Sequence, residues 1–198
     1  MRLGNLAPVE PGQGAAMKPT DVLRHEHKVI LMVLDAAERE ALSMEGGGPP
    51  AGARVSQVIE FCRNFTDRCH HAKEEKHLFP KMRERSPLAT ERPLGVMMGE
   101  HQEGRRLVTG MADGLLRACD GDRAAVQGLA AALIEYVDLL RAHIDKEDNV
   151  LFPLADKVLP AEDQKALVEA FEKIEAEELG EGVHEKYHHM AHVLADQP

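Results

Sequence analysis

The sequence predicts an all-α protein, an antiparallel up-down four-helix bundle with two extra C-terminal helices. Three observations carry this reading. Four long stretches place apolar residues one helical turn apart. No stretch alternates apolar and polar residues as a half-buried strand would. Clusters of glycine and proline cut the stretches into segments with short connections, which favours antiparallel neighbours. The expected division is a flexible tail over 1–17, the bundle over 18–158, and a helical extension over 159–198 packed on it.

The first 16 residues, MRLGNLAPVEPGQGAA, lack the apolar run of a secretory signal and read as a mobile tail, with Met17 as a possible natural start. Pro19-Thr20-Asp21 opens the first helix with Thr20 as the expected N-cap, and Leu23, His27, Ile30 and Leu34 form its stripe to about Ser43. Gly46-Gly47-Gly48-Pro49-Pro50 ends it. The second helix runs from about 54 to 85, with Pro80 expected to kink or stop it. The third, about 93 to 119, carries Met97, His101, Val108, Met111 and Leu115, with Gly104 leaving room between them. The fourth, about 123 to 158, carries Leu133, Tyr136, Leu140, His143, Glu147 and Leu151 on one face. Shorter helices over about 161–179 and 183–195 follow, separated by Gly180-Glu181-Gly182.

Composition removes several functions. With 43% hydrophobic and 29% charged residues, the chain has the balance of an ordinary globular protein. A formal charge of −10 disfavours binding to nucleic acid or to an anionic membrane, and no Trp and two Tyr leave little for base stacking. No apolar run reaches the roughly 18 residues that a membrane span needs. Cys62, Cys69 and Cys119 are odd in number and form no C-x-x-C pair, which fits a reducing cytoplasm. The outlier is histidine, with eleven copies.

Those histidines lie in a repeat. His70-His71-Ala72-Lys73-Glu74-Glu75-Lys76-His77-Leu78-Phe79-Pro80 aligns on its Leu-Phe-Pro with His143-Ile144-Asp145-Lys146-Glu147-Asp148-Asn149-Val150-Leu151-Phe152-Pro153 at an offset of 73. Glu26-His27 returns as Glu100-His101 at an offset of 74. Each half of the chain therefore supplies one lone histidine and one His-x-x-x-Glu pair. Residues four apart on a helix stack on one face with Cβ atoms about 5–6 Å apart, so a pair can hold one metal or the glutamate can reach a second. Imidazole and carboxylate donors together suit Fe and Mn and tolerate Zn. Burying so many polar groups between apolar stripes is costly unless something satisfies them. The candidate metal ligands are His27, His70, Glu74, His101, His143 and Glu147.

The second helix is the untidy one. Its stripe of Val58, Phe61 and Phe65 aims closer to His71 and Glu75 than to His70 and Glu74. A π-bulge would reconcile the two, although nothing in the sequence displays one. The repeat selects His70 and Glu74. His25 is the rival of His27, two residues away and on another face. His71 and His77 read as flanking or surface residues. His184, His188 and His192, with Tyr187 and His189 beside them, read as an exposed helix face, the alternatives being a channel lining or an added ligand.

Glu26-His27-Lys28, His70-x-x-x-Glu74, Glu100-His101 and His143-x-x-x-Glu147 resemble the hemerythrin-like, or HHE cation-binding, family over roughly residues 20 to 155. The resemblance implies a non-haem di-iron centre with an oxo or hydroxo bridge that reacts with O₂, NO or peroxide. It makes Glu74 and Glu147 bridging carboxylates and the four histidines terminal ligands. Hemerythrins that carry O₂ use five histidines, two of them four apart on the third helix; Arg105 stands where the second of that pair would be. A four-histidine site leaves more open positions, which favours reaction over carriage. Iron-cluster repair members carry an additional N-terminal cysteine-bearing domain that has no counterpart here. The expectation is a cytoplasmic protein whose partner is a diatomic ligand or peroxide, acting as a possible oxidoreductase. Rivals are an iron- or gas-binding sensor without turnover and a metal-free helical interaction domain.

Overall fold

The computed structural model describes residues 17–176 and 182–196, and among these every regular element is helical. The predicted tail over 1–16 and the end of the fifth predicted helix lie outside the described residues. Helix α1 is Pro19–Glu45 and α3 is Pro87–Cys119. Helix α2 is continuous from Gly52 to Arg85 but switches to π pitch twice, being α over Gly52–Phe61, π over Cys62–His71 and Glu74–Leu78, and α again over Phe79–Arg85. Helix α4 runs through Arg123–Lys146, a π turn at Glu147–Leu151 and Phe152–Val158. Helices α5, Ala161–Ile174, and α6, Val183–Asp196, complete the set.

Three local expectations change. Thr20 is not the cap: Lys18 precedes the first turn, its backbone N–H donates to Asp21 (3.1 Å), and Pro19 takes the first helical position, where its missing N–H costs nothing. Thr20 instead donates to Asp156 on α4 at 2.7 Å. Helix α3 begins at Pro87 rather than near 93: Pro87 takes the first turn, where a missing N–H costs nothing, and Pro93 lies inside the helix, which continues through it at the loss of one backbone donor. Pro80 neither stops nor ends α2. The π turn before it lets the Phe79 N–H bond back to the Glu74 carbonyl, and the same occurs at Phe152 and Glu147 before Pro153. A register one residue longer than α is thus in place where each proline enters the helix. Asp122 caps α4, its Oδ1 accepting from Ala124 (3.0 Å) and Ala125 (3.1 Å).

Helix α4 lies along both α3 and α1, and α2 packs against α1 and α3. The buried residues form two apolar clusters. One gathers Ile30, Leu34, Phe61, Phe65, Met111, Leu133 and Leu140; the other gathers Leu23, Phe79, Met97, Leu151 and Phe152. Helices α5 and α6 add buried side chains to these clusters, Phe171 to the second and Tyr187, Ala191 and Leu194 to the first. Along each of α1–α4 the sequence between the clusters carries the histidines and glutamates of the repeat. No described helix is long and apolar enough to cross a membrane.

Candidate metal centre

All six predicted residues are buried, each with at most 1% of its surface exposed, and they converge between the two apolar clusters. On α2 the π turns supply the missing phase. Each takes up one residue more than an α turn. The inward positions therefore step from Phe61 through Thr66 to His70 and Glu74, all buried, while Glu75 turns part-way outward. The apparent conflict between the stripe and the repeat is resolved by pitch.

The histidines meet in two pairs. His27 Nε2 lies 3.1 Å from His70 Nε2, and His101 Nε2 lies 3.1 Å from His143 Nε2. The two glutamates span the pairs. Glu74 places Oε1 3.7 Å from His70 and Oε2 3.5 Å from His101, and Glu147 Oε2 lies 3.2 Å from His27 and 3.3 Å from His143. None of the four carboxylate oxygens has a hydrogen-bond donor among the described residues.

Every one of the four rings is fixed from behind by an acid. Nδ1 of His27 faces Asp148 (2.9 Å), that of His70 faces Glu26 (2.9 Å), that of His101 faces Glu75 (2.7 Å), and that of His143 faces Glu100 (2.9 Å). A carboxylate can only accept, so each Nδ1 carries a hydrogen and each ring presents its Nε2 inward, as a bare lone pair whenever the ring is neutral. This is the carboxylate–histidine arrangement that orients metal-binding imidazoles. Burial lowers the pKa of His101. At His27 burial is outweighed by the Asp148 and Glu147 carboxylates, which raise the ring to about 9. Burial holds its partner His70 down at about 4. Burial and the Glu147 charge push Glu74 well up, whereas in Glu147 the His143 and His27 contacts overcome burial and lower it. The centre therefore offers a field that holds positive charge, four inward Nε2 atoms and four unmatched carboxylate oxygens. That donor set fits two cations of the Fe or Mn kind.

The rest of the repeat supports the same geometry. Lys73 and Lys146 reach back to Glu26 and Glu100, the acids that hold His70 and His143. Phe152 stacks on the His27 ring at 5.4 Å, and Phe79 stacks on His101 at 5.9 Å. Each half thus braces the lone histidine of the other, through both its acid and its phenylalanine. The sequence displayed these residues as duplicated letters; their contacts were not legible from spacing.

The comparisons with known proteins agree with this chemistry. A family model described as the hemerythrin HHE cation binding domain matches residues 18–155. The chain belongs to this family. Hemerythrin HHE domains bind a metal ion, and the paired clusters here are of that type. Uncharacterized proteins Mb2018 of Mycobacterium bovis and Rv1995 of Mycobacterium tuberculosis are each 25% identical over 185 residues, spanning 88% of this chain and 71% of theirs. The iron-sulfur cluster repair protein YtfE of Cronobacter sakazakii is 30% identical over 139 residues, spanning 67% of this chain and 59% of its own. No solved structure matches the chain.

The remaining histidines divide. His25 is exposed and stacks on His188 at 5.6 Å, away from the pairs. His77 is half-buried and lines a separate groove with Lys76, Pro80 and Asp163. His71 is buried at the edge of the centre. The last helix is not a uniformly exposed face. His189 and His192 are exposed, but Tyr187 is buried, His188 has a buried Nε2, and His184 lies 3.8 Å from Glu26. Phe65 draws this edge inward, ringed by Tyr187, His184 and His188. Glu26, Glu175 and His184 could resemble a third cation site, but the Lys73 ammonium already sits between the two carboxylates.

Proposed function

We propose that this hemerythrin-like chain holds a non-haem di-iron centre that binds and reacts with O₂, NO or peroxide. His27 and His70 would hold one iron and His101 and His143 the other, with Glu74 and Glu147 placed within reach of both pairs; Mn or Zn would fit the same donors. The observation that carries it is the four inward Nε2 atoms, each backed by its own carboxylate, beside four carboxylate oxygens that no protein donor meets. The antiparallel up-down bundle over 18–158 is part of the same reading. It is supported by the packing of α4 along α1 and α3 and by the internal repeat, and the reading of 159–198 as an extension by the contacts of α5 and α6 with α1 and α2. When bound, iron supplies the redox and ligand-binding chemistry. The chain's own residues fix the imidazoles, hold the two positions together and keep the interior dry with Phe79, Phe152 and the flanking aliphatic clusters.

Turnover is tested by mixing iron-loaded protein with excess peroxide, and separately with NO, in a stopped-flow instrument. Consumption of many equivalents per chain is expected; stoichiometric binding that then stops would overturn the reactive reading. A sensor without turnover has one observation in its favour. His70, Glu26 and His184 form a contact chain from the centre to α6, so a change at the centre has a route to that helix. The YtfE proteins are described as repairing iron-sulfur clusters, but this chain spans only 59% of the Cronobacter example, so that activity is not carried over.

A further inference from the structure

A cleft of about 200 Å³ opens between the first π segment of α2 and helix α3. Cys62, Asp67, Gly104, Arg105 and Tyr136 wall it, and His71 lies at its inner end. Gly104 contributes no side chain to the wall; a Cβ there would stand 3.6 Å from Tyr136. At the mouth the Arg105 guanidinium is matched by Asp67 (2.6 Å) and Glu75 (2.8 Å), so the opening carries no strong field against a neutral visitor.

His71 links this cleft to the centre. Its Nδ1 lies 3.4 Å from the Asp67 carboxylate on the cleft wall, while its Nε2 is buried without any hydrogen-bond partner. One of its ring nitrogens lies within 4.8 Å of the inward atoms of Glu74, His101 and His143. Yet His71 is not disposed like a third imidazole of that pair. Paired histidines are tilted at 58° and 63° with ring centres 4.7 and 4.8 Å apart, whereas His71 lies flat on His101, 3.8 Å away at 16°. In the other half of the repeat its place is taken by Ile144, a buried aliphatic residue. The end of the centre served by His101 and His143 therefore has a polar ring beside it where the matching place at the other end, among the described residues, is aliphatic.

We propose that this cleft is the access route to the centre and that His71 is a positioning residue for a small ligand bearing a hydrogen, of the hydrogen peroxide class. The inference rests on the di-iron reading above and selects among its ligands. With Asp67 accepting from Nδ1, the free Nε2 is an acceptor, and it can take a hydrogen bond from a peroxide O–H. Dioxygen, NO and azide have no hydrogen to give. A buried acceptor without a partner is costly, and a ligand that satisfies it is favoured over one that cannot.

The test uses the full chain loaded with iron, comparing wild type with His71→Leu, His71→Gln and Thr109→Trp, the last at an exposed position on the cleft mouth. Iron content is measured first; then the rate of the near-ultraviolet spectral response is followed for hydrogen peroxide and for azide. His71→Leu is expected to keep its iron, to slow the peroxide response about tenfold or more, and to leave azide binding unchanged. His71→Gln, which keeps an acceptor, should recover part of the peroxide rate. Thr109→Trp should slow both ligands. Equal peroxide rates in wild type and His71→Leu, or equal slowing of peroxide and azide by that change, would overturn the proposal. Loss of one iron in His71→Leu would also overturn it, by making His71 a ligand. A wild type that binds no iron would instead defeat the di-iron reading itself.

Discussion

Replacing Asp148 by Asn probes whether the acids behind the histidines each serve one metal. The Asp148 carboxylate lies 2.9 Å from His27 Nδ1 and near no other inward histidine, and the Arg24 side chain stands 3.8 Å away on its outer side. Asn preserves the shape and can still accept from Nδ1–H, so what is lost is the negative charge that makes the imidazole a better donor. Changes of this kind cost about 10- to 100-fold in metal affinity, or about 1.4–2.8 kcal/mol at 1.4 kcal/mol per tenfold. Because His27 belongs to the first pair, only one of two metals should weaken. Glu75→Gln, behind His101 at 2.7 Å, should weaken the other. Competition with a chromophoric chelator gives the readout. Asp148→Asn and Glu75→Gln should each release one equivalent early and hold the second at wild-type affinity, and the double variant should lose both early. Release of both equivalents together in either single variant, or affinities within twofold of wild type, would refute this division of labour.

Further outcomes follow from the same contacts. Lys73 is wholly buried between Glu26 and Glu175, whereas its repeat partner Lys146 is 40% exposed beside Glu100. Lys73→Met should cost about 3–5 kcal/mol in urea unfolding by stranding Glu26, and Lys146→Met under about 1 kcal/mol; equal losses would contradict the burial difference. Against burial, His184, His70 and Lys73 hold the Glu26 carboxyl far below its ordinary value. A depressed folded pKa contributes stability that is present above the unfolded value of 4.5 and is lost as pH falls below it. In chelator-treated protein the stability gap between wild type and Glu26→Gln should therefore narrow as pH drops below 4.5, and a gap that stays constant to pH 3 would count against the ion pair. Phe152→Leu, which removes the ring stacked on His27, should lower iron affinity with helix content by circular dichroism unchanged, and an unaltered affinity would make that stack incidental.

Helical periodicity made the four main segments legible, because the stripes on α1 and α4 are buried as read from their residues, and that on α3 is buried apart from Leu115, which is partly covered. The six convergent side chains were visible because the chain repeats itself, so that one half pointed to the inward side chains of the other. What spacing could not reveal was pitch. An α-helical wheel has no place for Phe61, His70 and Glu74 on one face, and the π register of Cys62–His71 brings them together. The acids behind the rings were on view as Glu26, Glu100, Glu75 and Asp148. The crossing of Glu75 and Asp148 between halves depends on helix positions in space and has no signature along the chain. The inward tilt of α6 was equally hidden, since His184 and His188 are drawn in by Phe65 and Glu26, residues remote in sequence.

The most direct measurement is iron per chain, with the optical spectrum in air, for wild type and for His143→Ala. The account predicts close to two irons per chain and near-ultraviolet charge-transfer bands, both cut sharply in the variant. Less than about half an equivalent of metal in wild type, with a spectrum indifferent to the loss of His143, would contradict it.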